Sequence, residues 1–341
     1  MLEGINETGV TSWLEANVPS LSPPLKFSLI AGGHSNLTYR CEDTSGNAYV
    51  LRRPPLGQVL ESAHDMAREH RIIDALKDSS VPVPPNFGVC QDVSVNGADF
   101  YVMAFVDGLV LNAASDAETL SAAERSSIGL DVMGILSRLH AINPDDVGLG
   151  QLGRKEAYLE RQLKRWTKQW LASKTHEIPE MEESYRLLSE RIPEQIGATI
   201  VHGDYRLGNM IVADGKVKAI LDWELCTLGD PLADVGYLLN NWVAPEDVVG
   251  SDQPVLPPTA AGGFLSRSEM IDIYTNTTGR DLSNINYYRA FSHWRLASIG
   301  QGVYKRYLVG AMGENPDVDF EQQKQSVVTR AQAALELLST T

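Results

Sequence analysis

Two aspartates and an asparagine stand at positions that suit the chemistry of phosphoryl transfer. Asp204 and Asn209 lie at the two ends of one short loop, and Asp222 ends an apolar segment further along the chain. Phosphoryl transfer needs a carboxylate beside the attacking hydroxyl and oxygen ligands that hold magnesium against the nucleotide phosphates. We therefore predict that Asp204 orients the acceptor hydroxyl and accepts its proton, and that Asn209 and Asp222 bind Mg²⁺ together with ATP.

The loop and the segments beside it set where these side chains point. Short apolar segments at 198–202, 209–212 and 218–221 predict small strands around a loop-rich centre. Asp222 then points into the cleft from the end of its strand. Ile211, two residues after Asn209, is apolar and is predicted to form a floor for adenine.

The first hundred residues are predicted to be mostly strands. Glycine-rich turns separate extended segments at 26–30, 36–41 and 48–52. A helix is expected at 63–76, where a cluster of prolines ends it, and a strand follows at 99–105. Val106-Asp107-Gly108 is a natural joint, so we predict an N-terminal lobe at 1–106 and a C-terminal lobe at 107–341.

The C-terminal lobe is predicted to be mainly helical. Ser121 and Glu124 form a capping-box pattern at the start of a helix that reaches His140. The stretch 243–263 is rich in proline, glycine and acidic residues, which predicts a long irregular loop. Further helices are expected at 155–173, 231–241, 268–275, 287–309 and 319–339. The overall expectation is an α+β fold, with a small antiparallel sheet in the first lobe and a larger helical second lobe.

Bulk composition narrows the class of partner. The chain has 341 residues and a formal net charge of −15, which disfavours binding to nucleic acid or to an anionic membrane surface. Its three cysteines lie far apart without a CxxC pair, which favours a reducing compartment. No signal peptide and no apolar run long enough for membrane insertion is visible. We expect a cytoplasmic protein that acts on a small molecule bearing a hydroxyl group.

The motifs together resemble a known family. His-Gly-Asp-x-x-x-x-Asn at 202–209, Ile-x-Asp-Trp-Glu at 220–224 and Gly-Asp-Pro-x-x-Asp at 229–234 are similar to those of the aminoglycoside phosphotransferase and choline-kinase-like family. That family has a protein-kinase-like bilobal fold. The segments 31–40, 159–170 and 301–304 resemble one branch more specifically, the kinase-like domains associated with acyl-CoA dehydrogenases.

The resemblance implies further nucleotide contacts. The turn at the start of the sheet closes over the phosphates, a glutamate on the first helix pairs with a cation on the preceding strand, and the inter-lobe segment hydrogen-bonds adenine. Kinase folds generally use lysine as the strand cation, whereas Arg52 matches that position here; arginine keeps the charge but presents a planar fork. The implied residues are Gly32, Gly33, His34, Ser35, Asn36, Arg52, Glu69, Met103, Phe105 and Val106.

Some neighbouring residues have simpler structural interpretations. His202 is expected to shape the loop before Asp204, and Asp230 and Asp234 to brace that loop and the helix after Pro231. The basic residues of 154–174 are expected to form a surface ladder, with an anchor for anionic substrate groups as the alternative. His293, Arg295, Gln301 and Tyr304 are candidates for lining the acceptor side.

The acceptor is left open between two chemistries. A cationic aminoglycoside or amino-alcohol needs carboxylates, for which Asp234, Glu246 and Asp247 are candidates. A hydroxyacyl-CoA or related hydroxylated acid needs apolar walls and a basic patch, and the branch resemblance favours it. Two other classes compete: a nucleotide-binding pseudokinase that regulates a partner, and a metallohydrolase built on His202, Asp204 and Asp222.

Overall fold

The computed structural model of the protein describes residues 2–31, 36–56, 65–248, 255–310 and 319–340. The chain divides into two compact units. Unit 1 comprises Met1–Leu111 and Gly208–Leu225, and unit 2 comprises Asn112–Leu207 and Cys226–Thr341. The segment that carries Asn209 and Asp222 therefore belongs to the same unit as the N-terminal sheet. The predicted boundary at residue 106 places this segment in the C-terminal lobe instead.

Most strands lie in the first 110 residues, and most helices follow them. The strands are β1 (Lys26–Ala31), β2 (Leu37–Glu42), β3 (Ala48–Arg53), β4 (Asn86–Cys90), β5 (Phe100–Ala104), β6 (Leu109–Val110), β7 (Thr199–Val201), β8 (Met210–Ala213), β9 (Lys216–Ile220) and β10 (Thr227–Gly229). The α-helices are α1 (Glu7–Asn17), α2 (Met66–Leu76), α3 (Val93–Asn96), α4 (Ala114–Glu118), α5 (Ala122–Ala141), α6 (Tyr158–Ser173), α7 (Pro179–Glu190), α8 (Leu232–Asn241), α9 (Arg267–Thr278), α10 (Ile285–Leu308) and α11 (Phe320–Ser339).

Unit 1 is built on an antiparallel five-stranded sheet in the order β1-β2-β3-β5-β4. Side chains alternate across β2, so that Leu37, Tyr39 and Cys41 are buried and the residues between them are more exposed. Helix α1 adds Val10 and Leu14 to this core. The predicted strands are present, whereas α1 and β4 were not predicted.

Helix α2 begins where a side chain caps it. Asp65 accepts a hydrogen bond from the backbone N–H of Arg68, which satisfies one of the free N–H groups of the first turn. The predicted start at residue 63 lies outside the described residues. Glu69 is in the first turn and is buried.

A second sheet of unit 1, in the order β6-β8-β9, carries the motif residues. Gly108 allows the chain to enter β6 close to β8. A Cβ atom at this position would lie 2.6 Å from Cγ2 of Ile211 and 2.7 Å from the carbonyl oxygen of Val212, and φ is 152°, a value that favours glycine.

Unit 2 is mainly helical, with α10 at its centre. Helix α10 packs against α6, α8 and α11, and buries Tyr288, Phe291 and Trp294. The capping box predicted at Ser121 and Glu124 starts α5. Helix α7 was not predicted, although Pro179 stands at its first turn, a position that proline favours. The stretch predicted to be an irregular loop contains two short 3₁₀ helices, Pro245–Val248 and Pro258–Ala261, with 249–254 outside the described residues.

Candidate active site

The loop that carries Asp204 follows β7 in unit 2 and is fixed by a buried carboxylate. The two carboxylate oxygens of Asp234 accept hydrogen bonds from the backbone N–H groups of His202 and Gly203, at 2.7 Å and 2.8 Å. Gly203 has φ 85°, a left-handed conformation that a residue with a Cβ atom adopts at a cost. The bracing role predicted for Asp234 is therefore present in the structure.

Asp234 stays ionised although its side chain is fully buried. Burial alone would raise the pKa of Asp234, but hydrogen bonds from His140 and from the backbone hold it below its ordinary value. Nε2 of His140 lies 3.3 Å from the carboxylate, and Nδ1 lies 2.7 Å from the hydroxyl of Tyr274. Burial lowers the pKa of His140, so we infer that its ring is neutral and that Nε2 donates a hydrogen bond to Asp234.

The side chain of Asp204 has partners and remains partly exposed. Its Oδ1 accepts a hydrogen bond from the hydroxyl of Tyr237 on α8 and lies 3.4 Å from Nε of Arg206. The exposed fraction of the side chain is 20%. The backbone N–H of Asp204 donates to Nδ1 of His202, which is fully buried and shapes the loop as predicted. A carboxylate held in one orientation and accessible at one side suits a general base.

Tyr237 and Arg295 complete this arrangement. The guanidinium of Arg295 lies 5.2 Å from the centre of the Tyr237 ring, and its Nη2 donates to the carbonyl oxygen of Gly203 at 2.8 Å. Burial and the charge of Asp204 raise the pKa of Tyr237, so its hydroxyl keeps the proton that it donates. Sequence reasoning missed Tyr237. The signal that could have found it is its spacing from Asp234, because residues three apart share a helix face.

In unit 1, Arg52 lies between two carboxylates. Its Nη1 forms an ion pair with Oε1 of Glu69, and its Nη2 lies 3.2 Å from Oδ1 of Asp222. Burial would lower the pKa of Arg52, but the charges of Glu69 and Asp222 outweigh it and raise the pKa. The ion pair expected between Arg52 and Glu69 is present. The additional contact with Asp222 follows from the forked guanidinium, which can reach two carboxylates at once.

Asn209 and Asp222 lie at the same edge of the second sheet. Asn209 immediately precedes β8 and Asp222 follows β9, and these strands pair with Met210 opposite Ile220. The carbonyl oxygen of Asn209 accepts a hydrogen bond from the backbone N–H of Leu221 at 2.8 Å. Asn209 is buried, whereas 27% of the Asp222 side chain is exposed. Asp222 has φ 65°, an unusual conformation for a residue other than glycine, and such conformations concentrate at functional sites.

The predicted adenine-side residues also belong to unit 1. Met103 is buried in β5 opposite Val50, and the backbone N–H of Phe105 donates to the carbonyl oxygen of Ala48 at 3.1 Å. Val106 follows outside the strand. Ile211 in β8 pairs with Val110 and Ala219. The close approach of Gly108 to Ile211 brings this inter-strand segment against the predicted adenine floor.

The predicted phosphate turn is only partly described. Gly32, Gly33, His34 and Ser35 lie outside the described residues. Asn36 is buried, and its Nδ2 donates to Oε2 of Glu224 at 3.4 Å. Glu224 also accepts, through its carbonyl oxygen, a hydrogen bond from Arg68 at 3.2 Å. Asn36 is thereby tied to the Asp222-Trp223-Glu224 segment.

Several candidates for the acceptor side have internal partners. Asp247 lies 2.7 Å from Nη2 of Arg267, so its charge is already paired, and the carboxylate of Asp234 is already hydrogen-bonded to the backbone. Gln301 donates to the carbonyl oxygen of Ser173 and to the hydroxyl of Thr175, each at 2.9 Å, and so connects α10 to the end of α6. These contacts account for three of the predicted residues structurally.

The aromatic and basic residues of α6 also make local contacts. Trp166 and Trp170 are buried, and the guanidinium of Arg165 lies 4.9 Å from the centre of the Trp166 ring. Nη2 of Arg161 donates to the carbonyl oxygen of Arg154 at 2.7 Å. The tryptophan side of α6 is therefore packed, and the surface ladder stays a prediction.

The grouping of possible metal ligands and the character of the helices bear on the class of site. Among the described residues, no three or more His, Cys, Asp or Glu side chains are grouped so that they could hold a metal ion. Magnesium sites at nucleotides commonly use only one or two protein carboxylates, so the pair Asn209 and Asp222 is of the expected kind. Nor does any helix in the described part of the chain have the length and apolar character needed to cross a membrane.

The five-stranded sheet, the helical unit and the loop around Asp204 define a kinase-like fold. A solved structure from Ralstonia eutropha, provisionally named an aminoglycoside phosphotransferase, is 31% identical with a TM-score of 0.81, covering 98% of this chain and 99% of that one. Choline kinase from Cryptosporidium parvum, 13% identical, has a TM-score of 0.68 over 97% of this chain and 98% of its own. This second likeness concerns the fold alone.

A sequence profile of the phosphotransferase enzyme family matches residues 26–263, and the chain belongs to that family. Acyl-CoA dehydrogenase family member 10 of Mus musculus is 37% identical over 295 residues, which are 84% of this chain and 27% of that protein. Member 11 of Homo sapiens is 35% identical over 291 residues, 84% of this chain and 37% of that protein. The chain therefore spans well under half the length of these curated relatives.

Proposed function

We propose that the protein is an ATP- and magnesium-dependent small-molecule kinase that transfers the γ-phosphate to a hydroxyl group, with a hydroxyacyl-CoA-like acid as the acceptor. The observation that carries the proposal is the way in which the side chain of Asp204 is held and exposed. Its carboxylate is oriented by Tyr237, its loop is fixed by Asp234, and one side of it remains exposed. A structural aspartate in a turn would need none of these supports.

Asp204 would act as the base for the acceptor. It would accept a hydrogen bond from the acceptor hydroxyl, orient the oxygen and take its proton as the bond to phosphorus forms. Arg206 lies beside it, with its Nε 3.4 Å from Oδ1 of Asp204. Tyr237 and Arg295 would keep the loop in place during this step.

Asn209 and Asp222 fit a magnesium–nucleotide complex by their chemistry. They offer an amide and a carboxylate oxygen, both hard donors, at one edge of the β8–β9 sheet. When bound, the metal would neutralise charge on the phosphates of ATP. Arg52, which is charged and paired with Glu69, would contact a phosphate of ATP. Because Asp222 is partly exposed and Glu69 is buried, the phosphate would take the place of Asp222 beside Arg52 and leave the pair with Glu69 intact.

The nucleotide side would use the remaining residues of unit 1. Met103, Phe105 and Val106 would offer backbone groups to adenine, with Ile211 beneath the ring. The turn of Gly32, Gly33, His34, Ser35 and Asn36 would cover the phosphates through its N–H groups. Glu224 would support this turn through its contact with Asn36.

The charges of the candidate acceptor residues support the proposed acceptor class. Asp234 and Asp247, two of the three carboxylates considered for a cationic acceptor, are paired internally. The relatives named acyl-CoA dehydrogenase family members further support an acyl-CoA-related acceptor. A cytoplasmic location is supported by the three cysteines, which are free and buried.

An aminoglycoside or amino-alcohol phosphotransferase is the second candidate, supported by the name of the Ralstonia eutropha structure. A pseudokinase is a weaker one, because Asp204, Asn209 and Asp222 are all present. Both can be tested by measuring transfer of radiolabelled phosphate from ATP to hydroxyacyl-CoAs, aminoglycosides and choline, with magnesium and with EDTA. We expect magnesium-dependent transfer to the first group.

The variant pair Asp204→Asn and Asp214→Asn controls this assay. Asp214 lies in the turn between β8 and β9 and is exposed, so its substitution should leave transfer unchanged. Transfer to aminoglycosides alone would favour the second candidate. ATP binding without transfer to any acceptor would favour the pseudokinase.

A further inference from the structure

A group of basic side chains gathers in unit 2 of an otherwise acidic chain. Arg289 and His293 lie on successive turns of α10, Arg330 lies on α11, and Arg267 is the first residue of α9. We call these four residues the basic cluster. The chain as a whole carries a formal net charge of −15, so a local excess of cations needs a specific cause.

Two members of the basic cluster have structural roles at the C-terminal end of α8. Arg267 pairs with Asp247 at 2.7 Å, and its Nε donates to the carbonyl oxygen of Leu239 at 3.0 Å. Nε of Arg289 donates to Oδ1 of Asn240 at 3.1 Å. Cations at the end of a helix are stabilised by its dipole and by its free carbonyl groups. Helix capping therefore explains Arg267, and the hydrogen bond to Asn240 gives Arg289 a partner at the same helix end.

The other two members have no such explanation. Arg330 is half-buried and makes no hydrogen bond or ion pair in the described part of the chain. Nδ1 of His293 is buried and also lacks a hydrogen-bond partner there. Nearly all buried polar groups in native proteins are hydrogen-bonded, and a charge removed from water without a partner is costly. Both groups therefore have hydrogen-bonding capacity that the described part of the chain does not use.

Tyr237 connects the surroundings of Arg330 and His293 to Asp204, the proposed base. Its hydroxyl donates to Asp204, and its ring lies beneath Arg295, whose Nε is likewise buried without a partner. Tyr237 is on α8, which packs against α10, and Asn240 on the same helix bonds to Arg289. His293 lies on α10, which packs against both α8 and α11, and the charge of Arg330 acts on His293 and on Tyr237.

We propose that Arg330 and His293 bind an anionic group, a carboxylate or a phosphate, on the molecule that Asp204 acts upon. The identification of this molecule as the phosphate acceptor rests on the proposed function. The existence of the anion site does not depend on it. The site selects acceptors that carry a negative charge as well as a hydroxyl group. It disfavours a polycationic acceptor, because the cluster repels like charge.

The protonation state of His293 agrees with this arrangement. Burial, followed by the charges of Arg330, Arg289 and Arg267, lowers its pKa to about 4. Near neutral pH the ring is uncharged and is able to donate one hydrogen bond. A bound anion would offset the arginine charges and move this pKa upward.

The test uses the full chain without nucleotide and two probes, inorganic phosphate and butyrate. The imidazole resonance of His293, assigned with His293→Asn, is followed by NMR while each probe is added, in wild type, Arg330→Gln, Arg330→Lys and Arg306→Gln. Arg306 is an exposed arginine on α10 and serves as the matched control. A response that is weakened in Arg330→Gln is assigned to Arg330 and His293, because Arg52 is unchanged in that variant.

We expect saturable movement of the His293 resonance, with the dissociation constant raised about tenfold or more in Arg330→Gln. Arg306→Gln should match wild type, and Arg330→Lys should bind with intermediate affinity. The probe that binds more tightly tells whether the group is a carboxylate or a phosphate. An unmoved resonance with both probes, or equal affinity in Arg330→Gln and wild type, would overturn the proposal.

Failure of the proposed function would have a different signature. If the wild-type protein transfers no phosphate but the His293 resonance responds as expected, the kinase proposal fails and the anion site stands. If transfer occurs and Arg330→Gln changes neither anion binding nor the KM of an anionic acceptor, only the anion site fails.

Discussion

The hydroxyl group of Tyr237 donates a hydrogen bond to the carboxylate of Asp204. Tyr237 lies one helical turn after Asp234, which holds the backbone of the Asp204 loop. One face of α8 therefore fixes both the position of the loop and the orientation of the Asp204 side chain. Helix α8 therefore holds the predicted base in place, although the helix itself contains no predicted catalytic residue.

Replacing Tyr237 by phenylalanine should lower kcat about tenfold or more, because a hydrogen bond to a charged group contributes roughly 1.5–3 kcal/mol. The KM for ATP should not change, since the predicted nucleotide contacts are elsewhere. Steady-state kinetics measures both. Tyr287→Phe is the matched control, because Tyr287 is buried and donates only to the carbonyl oxygen of Leu188. Equal kcat in wild type and Tyr237→Phe would show that the hydrogen bond is not needed.

Replacing Arg52 by methionine should destabilise the protein by about 3–5 kcal/mol, because it leaves the buried carboxylate of Glu69 without its cation. The double variant Arg52→Met with Glu69→Leu should recover a large part of this loss. Urea unfolding of the two single variants and the double variant gives the coupling free energy. Strictly additive effects would mean that the pair contributes nothing as a pair.

The sequence pointed to candidate residues for the chemistry, but it did not identify the residues that hold them in place. Asp204, Asn209 and Asp222 were recognisable because residue type and spacing both carry information about phosphoryl transfer. Tyr237 was not, because a tyrosine in an apolar helix looks like an ordinary core residue. Its role depends on which loop packs above α8, and that contact is made by residues distant in sequence.

Some elements of the fold were predicted from the sequence and others were not. Strands β1, β2 and β3 were predicted because glycine turns mark their ends. Helix α1 was missed among expected strands, although Val10 and Leu14 have helical spacing and Asn6 caps its start. Strand β4 was missed because it follows a run of prolines and contains Gly88. The phosphate turn at Gly32, Gly33, His34 and Ser35 stays a prediction.

Replacing Asp222 by asparagine should separate metal binding from backbone conformation. Asparagine tolerates the left-handed conformation seen at this position, so the variant should keep its stability within about 1 kcal/mol. The magnesium dependence of nucleotide binding should be lost, because the full negative charge is gone. Calorimetric titration of ATP with and without magnesium measures this.

Asp222→Ala provides the comparison. It should lose the magnesium dependence and in addition be less stable than Asp222→Asn by about 1–2 kcal/mol, because alanine pays the full cost of the left-handed conformation. Retained magnesium dependence in both variants would contradict the role of Asp222 as a metal ligand.

The pH dependence of stability should report the buried His140. Its pKa is lowered by burial, so the unfolded chain binds a proton at higher pH than the folded protein. The contribution of His140 to stability is therefore complete above its ordinary pKa of 6.5 and is lost as the pH falls below that value. His140→Gln keeps a neutral donor for Asp234 and should give a shallower decrease in the free energy of unfolding between pH 6.5 and 5. Identical slopes for both proteins would show that His140 is not protonated on unfolding in this range.

The central claim is that Asp204 acts in the transfer step itself. Its most direct test is a single-turnover measurement of phosphoryl transfer from magnesium-bound ATP to a hydroxyacyl-CoA, in wild type and Asp204→Asn, with the affinity for ATP measured in parallel. We predict that the rate of transfer falls by about 10²–10⁴ while the affinity for ATP stays within a factor of about three. Transfer by Asp204→Asn at the wild-type rate, with nucleotide bound, would contradict the account.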